Sequence, residues 1–345
     1  MKADRRGLLA GCAAMALVGA ATFLGSENLK HYDPILLTYT FGTLFAAFGI
    51  AYRVTVWLRR PPTRVYLRRG LRLMLKGRHA VKAAKAAVVD MAAQRFIARR
   101  SRLRWFIHFN LAWGTMLAIA VTFPLVFGWL HFETPTGDHQ NRYQVVFLSL
   151  TVMEFKLDSP IRFLIFNALN ISAIMVTLGA ILSIHRRLGS EAATARQQFG
   201  NDLLPLVILL AISLTGLLLT FSTHVLEGAG YQALSLIHAL TVCLGMVYVP
   251  FGKFFHIFQR PAQLGVVMYR EENRTGPQAA CRACGESFAG ALHVADLKGV
   301  LAETGVPLGA HLDLCPRCKR RNVAALAAGL RHAEAASAAQ AGAAR

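Results

Sequence analysis

Two short motifs near the C-terminus, CRACG at Cys281–Gly285 and CPRCK at Cys315–Lys319, carry four of the six cysteines of the chain. Each Cys-x-x-Cys pair can present two thiolates from one tight turn, and thirty residues separate Cys284 from Cys315. Together, Cys281, Cys284, Cys315 and Cys318 have the makings of a tetrahedral four-sulfur metal site. Zinc is the first expectation, because a closed four-cysteine centre can hold together a module too small to bury a core of its own. Iron in a rubredoxin-like setting is the alternative, since similar turns bind it. His293 and His311 lie between the motifs and read as ordinary polar residues.

A second set of candidates sits in apolar sequence. An ionisable side chain inside a bilayer is costly unless paired or liganded, so an intramembrane histidine is a functional candidate. HALTVCLGMVYVPFGKFFHIF, residues 238–258, carries one near each end, His238 and His256. Read as one helix, the eighteen residues between them make five turns and about 27 Å, which puts both imidazoles on one face at opposite depths. His108 follows Arg104 and Trp105 one turn into an earlier apolar run. His108 and His256 are thereby expected at similar depth on different helices, and two neutral imidazoles facing each other are the usual axial ligands of a b-type haem. The plainer reading gives both rings interfacial bonds to carbonyls or headgroups. His238 would hold a second haem only if another helix supplied a partner; His224 is the nearest, and otherwise His238 bonds a quinone or a carbonyl. Lys253 and Arg104 are candidates to pair with haem propionates, with snorkelling to the interface the alternative. His31, His131 and His139 fall in turns, His79 in a basic stretch, and His185 at a helix end.

These residues need a scaffold, and composition indicates its class. The chain is 54% hydrophobic with a mean hydropathy of +0.41, which suits a membrane protein. Six apolar runs have spanning length, near Leu8–Leu24, Pro34–Leu58, Trp105–Leu130, Ile161–Ile184, Leu203–Thr223 and Ala233–Phe258. The expected fold is an all-α integral membrane bundle of six spans, or five if the signal-like N-terminus is cleaved, with a small zinc-ribbon-like module after it. Residues 1–58 form two spans, 59–104 a basic link, 105–260 a four-helix haem-binding domain, 277–321 the four-cysteine module and 322–345 an Ala-rich tail. The net charge of +20 is concentrated in the link, with fifteen Lys and Arg against Asp90 alone. The positive-inside rule makes that link and the C-terminal module cytoplasmic, in a multi-pass protein of a bacterial-type inner membrane. Apolar residues recur at helical spacing within the link, in two pieces broken near Gly77. They read as interfacial helices held by anionic lipid, or as a docking face for an acidic subunit. Six spans argue against nucleic acid as the partner of the positive charge.

The histidine pattern resembles a known family, the membrane cytochrome b subunits typified by the respiratory nitrate reductase gamma subunit and its heterodisulfide reductase relatives. That family's last span carries two haem-ligating histidines eighteen residues apart, as His238 and His256 are, and PFGKFFHIFQRP resembles its closing stretch. HFNLAWGTMLAIAVTFPL, from His108, occupies the place of the partner helix. The likeness covers roughly Trp105 to Pro261. It departs at Ala118, where the family has a second histidine ten residues after the first. The resemblance implies haem b held by His108 and His256, with only His238 matching an outer haem. It also implies electron transfer between menaquinol or ubiquinol and a cytoplasmic iron–sulfur or molybdenum-type oxidoreductase subunit.

Two alternatives carry no haem: a six-helix transporter with helices broken at Pro205, Gly216, Pro250 and Gly252, and a membrane scaffold presenting a zinc ribbon. The absence of HExxH, GxSxG and Walker motifs leaves no hydrolytic site to expect.

Overall fold

The computed structural model describes residues 4–30, 37–75, 77–135, 141–189, 191–195 and 197–343. His31 and His139 therefore lie outside the described residues.

Helices dominate. In chain order they begin with α1 (Arg5–Gly25), α2 (Leu37–Arg59), α3 (Pro61–Met74), α4 (Gly77–Ala86), α5 (Arg95–Ala98) and α6 (Arg102–Val126). Strands β1 (Leu130–Glu133), β2 (Arg142–Phe147) and β3 (Leu150–Lys156) follow, then α7 (Pro160–Phe166), α8 (Ala168–Leu188), α9 (Glu191–Thr194), α10 (Leu204–Val225), α11 (Tyr231–Tyr248) and α12 (His256–Gln259). The chain closes with α13 (Ala262–Thr275), β4 (Gln278–Ala280), β5 (Ser287–Gly290), α14 (Ala291–Glu303) and α15 (Pro316–Ala343). The long helices α1, α2, α6, α8, α10 and α11 give six segments long and apolar enough to cross a membrane.

The chain divides into two compact units, one of Met1–Val56 with Val88–Arg260, the other of Trp57–Ala87 with Pro261–Arg345. The first holds the six long helices. Small residues let α6 and α8 approach closely: Gly114 faces Val176, Gly179 faces Leu111, and the Ser172 hydroxyl donates to the Gly114 carbonyl at 3.0 Å. α8 packs on α10 and α10 on α11. Gly42 of α2 meets Met246 of α11, while Gly7 and Gly11 of α1 meet Tyr52 and Phe48 of α2. Trp129, just past α6, donates to the Ala21 carbonyl of α1 at 3.0 Å.

Two expectations are corrected in this unit. The segment after α6 is not a plain loop but an antiparallel sheet of order β1-β2-β3, so the fold is not purely α. Its β2–β3 hairpin turns on Leu148 and Ser149, both at positive φ (50° and 65°), a conformation that suits the right-handed twist of the strands. The last apolar run is also not one helix from Ala233 to Phe258. α11 ends at Tyr248, and a 3-10 turn over Lys253–Phe255 leads into α12. Pro250 has no N–H to continue the ladder, and its carbonyl accepts instead from the Arg53 guanidinium. Gly252 leaves room for the Tyr248 ring, where any Cβ would collide with it. The five-turn arithmetic linking His238 to His256 therefore fails.

The second unit joins the basic link to the C-terminal segment. α3 crosses α13 where Gly70 and Gly265 meet; a Cβ on Gly70 would lie 2.7 Å from the Gly265 Cα. Several of the link's cations are answered by acids of the C-terminal segment. Arg64 pairs with Glu303, Arg69 with Asp296 at 3.2 Å, and Lys82 with Glu271 at 3.2 Å. Buried Asp296 also accepts from the Tyr269 hydroxyl at 3.0 Å, and burial together with this carboxylate pushes the Tyr269 phenol up. His293 stacks beside Tyr66 and meets Tyr269 edge-on rather than joining the cysteines. The Ala-rich tail continues α15 as far as Ala343.

Candidate functional site

The cysteine cluster is built from two turns. β4 and β5 form a hairpin whose connection carries Cys281 and Cys284, and Gly285, at φ +73°, takes the left-handed conformation that closes it. Cys315 and Cys318 stand at the start of α15. The four Sγ atoms all lie within 4.8 Å of one another, with Cys284 and Cys315 3.7 Å apart. Bonds of roughly 2.3 Å to a tetrahedral ion put sulfurs roughly 3.8 Å apart, so the cluster could hold one metal ion with small side-chain shifts. Cys281, Cys315 and Cys318 are buried and Cys284 is exposed.

Backbone donors tune these thiols. The Cys315 N–H donates to Cys281 Sγ at 3.2 Å and the Cys318 N–H to Cys315 Sγ at 3.4 Å. The first bond holds the Cys281 thiol down to about 6, whereas the neighbouring Cys315 sulfur pushes Cys318 up to about 12. Four sulfurs this close cannot all ionise unless a cation sits among them.

The histidines are arranged differently. His108 is half-buried in α6 and His256 is exposed at the start of α12, within electrostatic range of one another. His108 Nδ1 lies 2.8 Å from Gln94 Oε1, and His256 Nδ1 lies 2.5 Å from the Lys253 carbonyl. Both oxygens are acceptors, so each ring donates from Nδ1 and keeps its lone pair on Nε2. Among the described residues neither Nε2 has a hydrogen-bond partner.

Gln94 went unrecognised in the sequence. It is buried, sits at φ +52°, and belongs to a stretch folded back on α6, where Trp105 and Trp113 donate to the carbonyls of Ala93 and Ala92 at 2.8 and 3.0 Å. A lone amide among cations gives no warning of that role. Only the two tryptophans hint that α6 has something to hold.

Other candidates fall elsewhere. His238 lies seven residues into α11, roughly 10 Å along it and so away from either end. Its Nδ1 is 2.9 Å from the Thr215 hydroxyl, which itself donates to the Ala211 carbonyl at 2.7 Å, so the ring is again the donor. Gly216 packs against that ring. His224 stands nine residues beyond Thr215 on α10, roughly 13 Å along the axis, so the structure does not bring His238 and His224 together. Lys253 is engaged by Asp202, which also takes Arg187 at 3.5 Å, and is not held in reserve for a propionate. Arg104 is exposed in the first turn of α6, one turn before His108 and near enough to Arg186 for their charges to interact.

Compared with family models, curated proteins and solved structures, the chain matches none.

Proposed function

We propose that this chain is a b-type cytochrome of a membrane electron-transfer complex, working between the quinone pool and a cytoplasmic oxidoreductase partner. One observation carries the reading: His108 and His256, far apart in the sequence, lie within electrostatic range of one another, each with Nδ1–H given to an oxygen and Nε2 without a hydrogen-bond partner among the described residues. That is the tautomer a metal-ligating imidazole needs, with the other nitrogen fixed by an outer partner. The donor set fits a bis-imidazole haem, which would supply a reversible one-electron centre.

The chain's own residues have definable roles under this reading. Gln94 and the Lys253 carbonyl orient the two rings and fix their tautomers. The pairing of Lys253 with Asp202 and Arg187 ties the turn before α12 to the start of α10, which steadies His256. Arg104 remains a candidate for a propionate. His238, with a Nδ1–H donor to Thr215, is ligand-competent, but the departure at Ala118 and the distant placement of His224 leave it without a second imidazole.

In the same reading the four cysteines hold zinc as a structural ion, on the cytoplasmic side of a bacterial-type inner membrane. Three buried sulfurs and a full set of four leave no open position for substrate, which favours a structural centre over a reactive one.

The broken end of α11 is the feature that favours a transporter instead. That break falls after the helix rather than midway along it, where a transporter places its substrate. An absorption spectrum of the purified full chain separates the two. The cytochrome reading expects a b-type α-band on dithionite reduction at about one haem per chain; a colourless, fully folded protein overturns it.

A further inference from the structure

We infer that the end of the helical unit bearing α7 holds a phospholipid by its phosphate, in a cavity between α7, α8, α10 and the start of α11. This site is independent of the haem reading. The cavity is about 390 Å³, within the range that accommodates a small ligand.

Its chemistry is one-sided. Arg162 and His224 line it, and among the described lining residues there is no carboxylate. Arg162 is permanently charged and carries a planar fork of donors suited to phosphate oxygens. Polar groups beside it are held in order by a chain of bonds: Thr220 donates to Asn170 Oδ1 at 2.8 Å, Asn170 Nδ2 to Asn167 Oδ1 at 3.2 Å, and Asn167 Nδ2 to the Phe163 carbonyl at 3.0 Å. In this sequence every amide oxygen is occupied, while each amide nitrogen keeps a second N–H. Tyr231 also lines the cavity. A site rich in donors, with a fixed cation and no acid, is made for an oxyanion.

The other wall is apolar. Phe163, Phe166 and Leu219 line it, and Phe163 is 62% exposed. A free inorganic anion has no use for that wall, whereas a phosphodiester carrying acyl chains covers it. The cavity also lies at the end of three candidate spans, α8, α10 and α11, the depth at which headgroups sit. Both features select a lipid headgroup as the source of the phosphate. His224, which fails as a partner for His238, finds its use here.

The test uses the purified, delipidated full chain in mild detergent, titrated with phosphatidylglycerol, diacylglycerol or inorganic phosphate and read by native mass spectrometry. Phosphatidylglycerol should bind roughly tenfold more tightly than diacylglycerol, which keeps the acyl chains and lacks the phosphate, as expected for losing one charge-assisted contact. Arg162→Ala should abolish that preference, and Arg162→Lys should restore part of it. Arg320→Ala, which removes a cation elsewhere, should leave it intact. Unchanged diacylglycerol binding and an unchanged melting curve in Arg162→Ala would show that the variant is folded. Equal binding of the two lipids, an unaltered preference in Arg162→Ala, or displacement of phosphatidylglycerol by millimolar phosphate would each overturn the proposal.

Discussion

The cysteine cluster and the proposed histidine site would be two ways of building a metal site. The cysteines come from two local turns, each with a backbone bond of its own, from the Gly285 N–H to the Cys281 carbonyl and from the Lys319 N–H to the Cys315 carbonyl, and four sulfurs converge within one small module. The histidines come from α6 and α12, elements far apart in the sequence, and their tautomers are set by Gln94 and by the Lys253 carbonyl. A site of the first kind depends on its metal to fold; a site of the second kind is held by the fold and waits for its ligand. The two should therefore respond oppositely to loss of the metal.

The largest effect expected is in the cysteine module. Strong chelation, or Cys281→Ser or Cys315→Ser, should remove all metal found by elemental analysis. It should also open the module to proteolysis around β4, β5 and the start of α15, because the binding free energy of such a centre is folding free energy. The haem absorption should survive, since no cysteine contributes to it. Coincident loss of both signals would erase the contrast between the two sites.

Next in size is Gln94→Ala. Removing the outer partner of His108 should weaken haem retention by roughly 10- to 100-fold without unfolding the helices. Dilution of the purified protein followed by haem quantification reads this directly, and Gln94→Glu, which keeps an acceptor, should retain more haem than Gln94→Ala. Equal retention in all three proteins would mean that Gln94 only fills space.

A smaller change is expected from Asp296→Asn. The carboxylate accepts from Arg69 and Tyr269 and is buried, but Arg69 is itself 44% exposed, so the cost should be about 1–3 kcal/mol. Chemical denaturation followed by a fluorophore on α3 measures it. The smallest effect concerns pH. The Lys82 ammonium, with Arg274 nearby, holds the Glu271 carboxyl below its ordinary value of 4.5. A depressed carboxyl contributes fully above that ordinary value and loses its contribution as pH falls through the folded value. Protection of α4 from hydrogen exchange should thus fall below about pH 4.5 in the wild type and be insensitive there in Glu271→Gln.

How much of this was legible in the sequence follows from the same contrast. The six apolar helices and the Cys-x-x-Cys pairs are local patterns, and both can be read without knowing what packs on what. His108 and His256 could be named as candidates from their apolar surroundings, but Gln94 could not, because its importance arises only when residues 92–94 fold back on α6. The β2–β3 hairpin was hidden because Leu148 and Ser149 take positive φ where Asn-Gly would have announced a turn. Treating residues 238–256 as one helix overlooked how completely Pro250 and Gly252 end it. The basic link looked like a surface awaiting a partner. Part of its charge is instead matched by Glu271, Asp296 and Glu303 of the same chain, which lie more than 180 residues away and share no local pattern with it.

The central claim, one haem clasped by His108 and His256, is tested most directly by haem content in single-histidine variants of the full chain. Haem extracted and quantified per chain should fall to background in His108→Ala and in His256→Ala, while His238→Ala keeps the wild-type amount. Wild-type haem content in either of the first two, or its loss only in His238→Ala, would contradict the account.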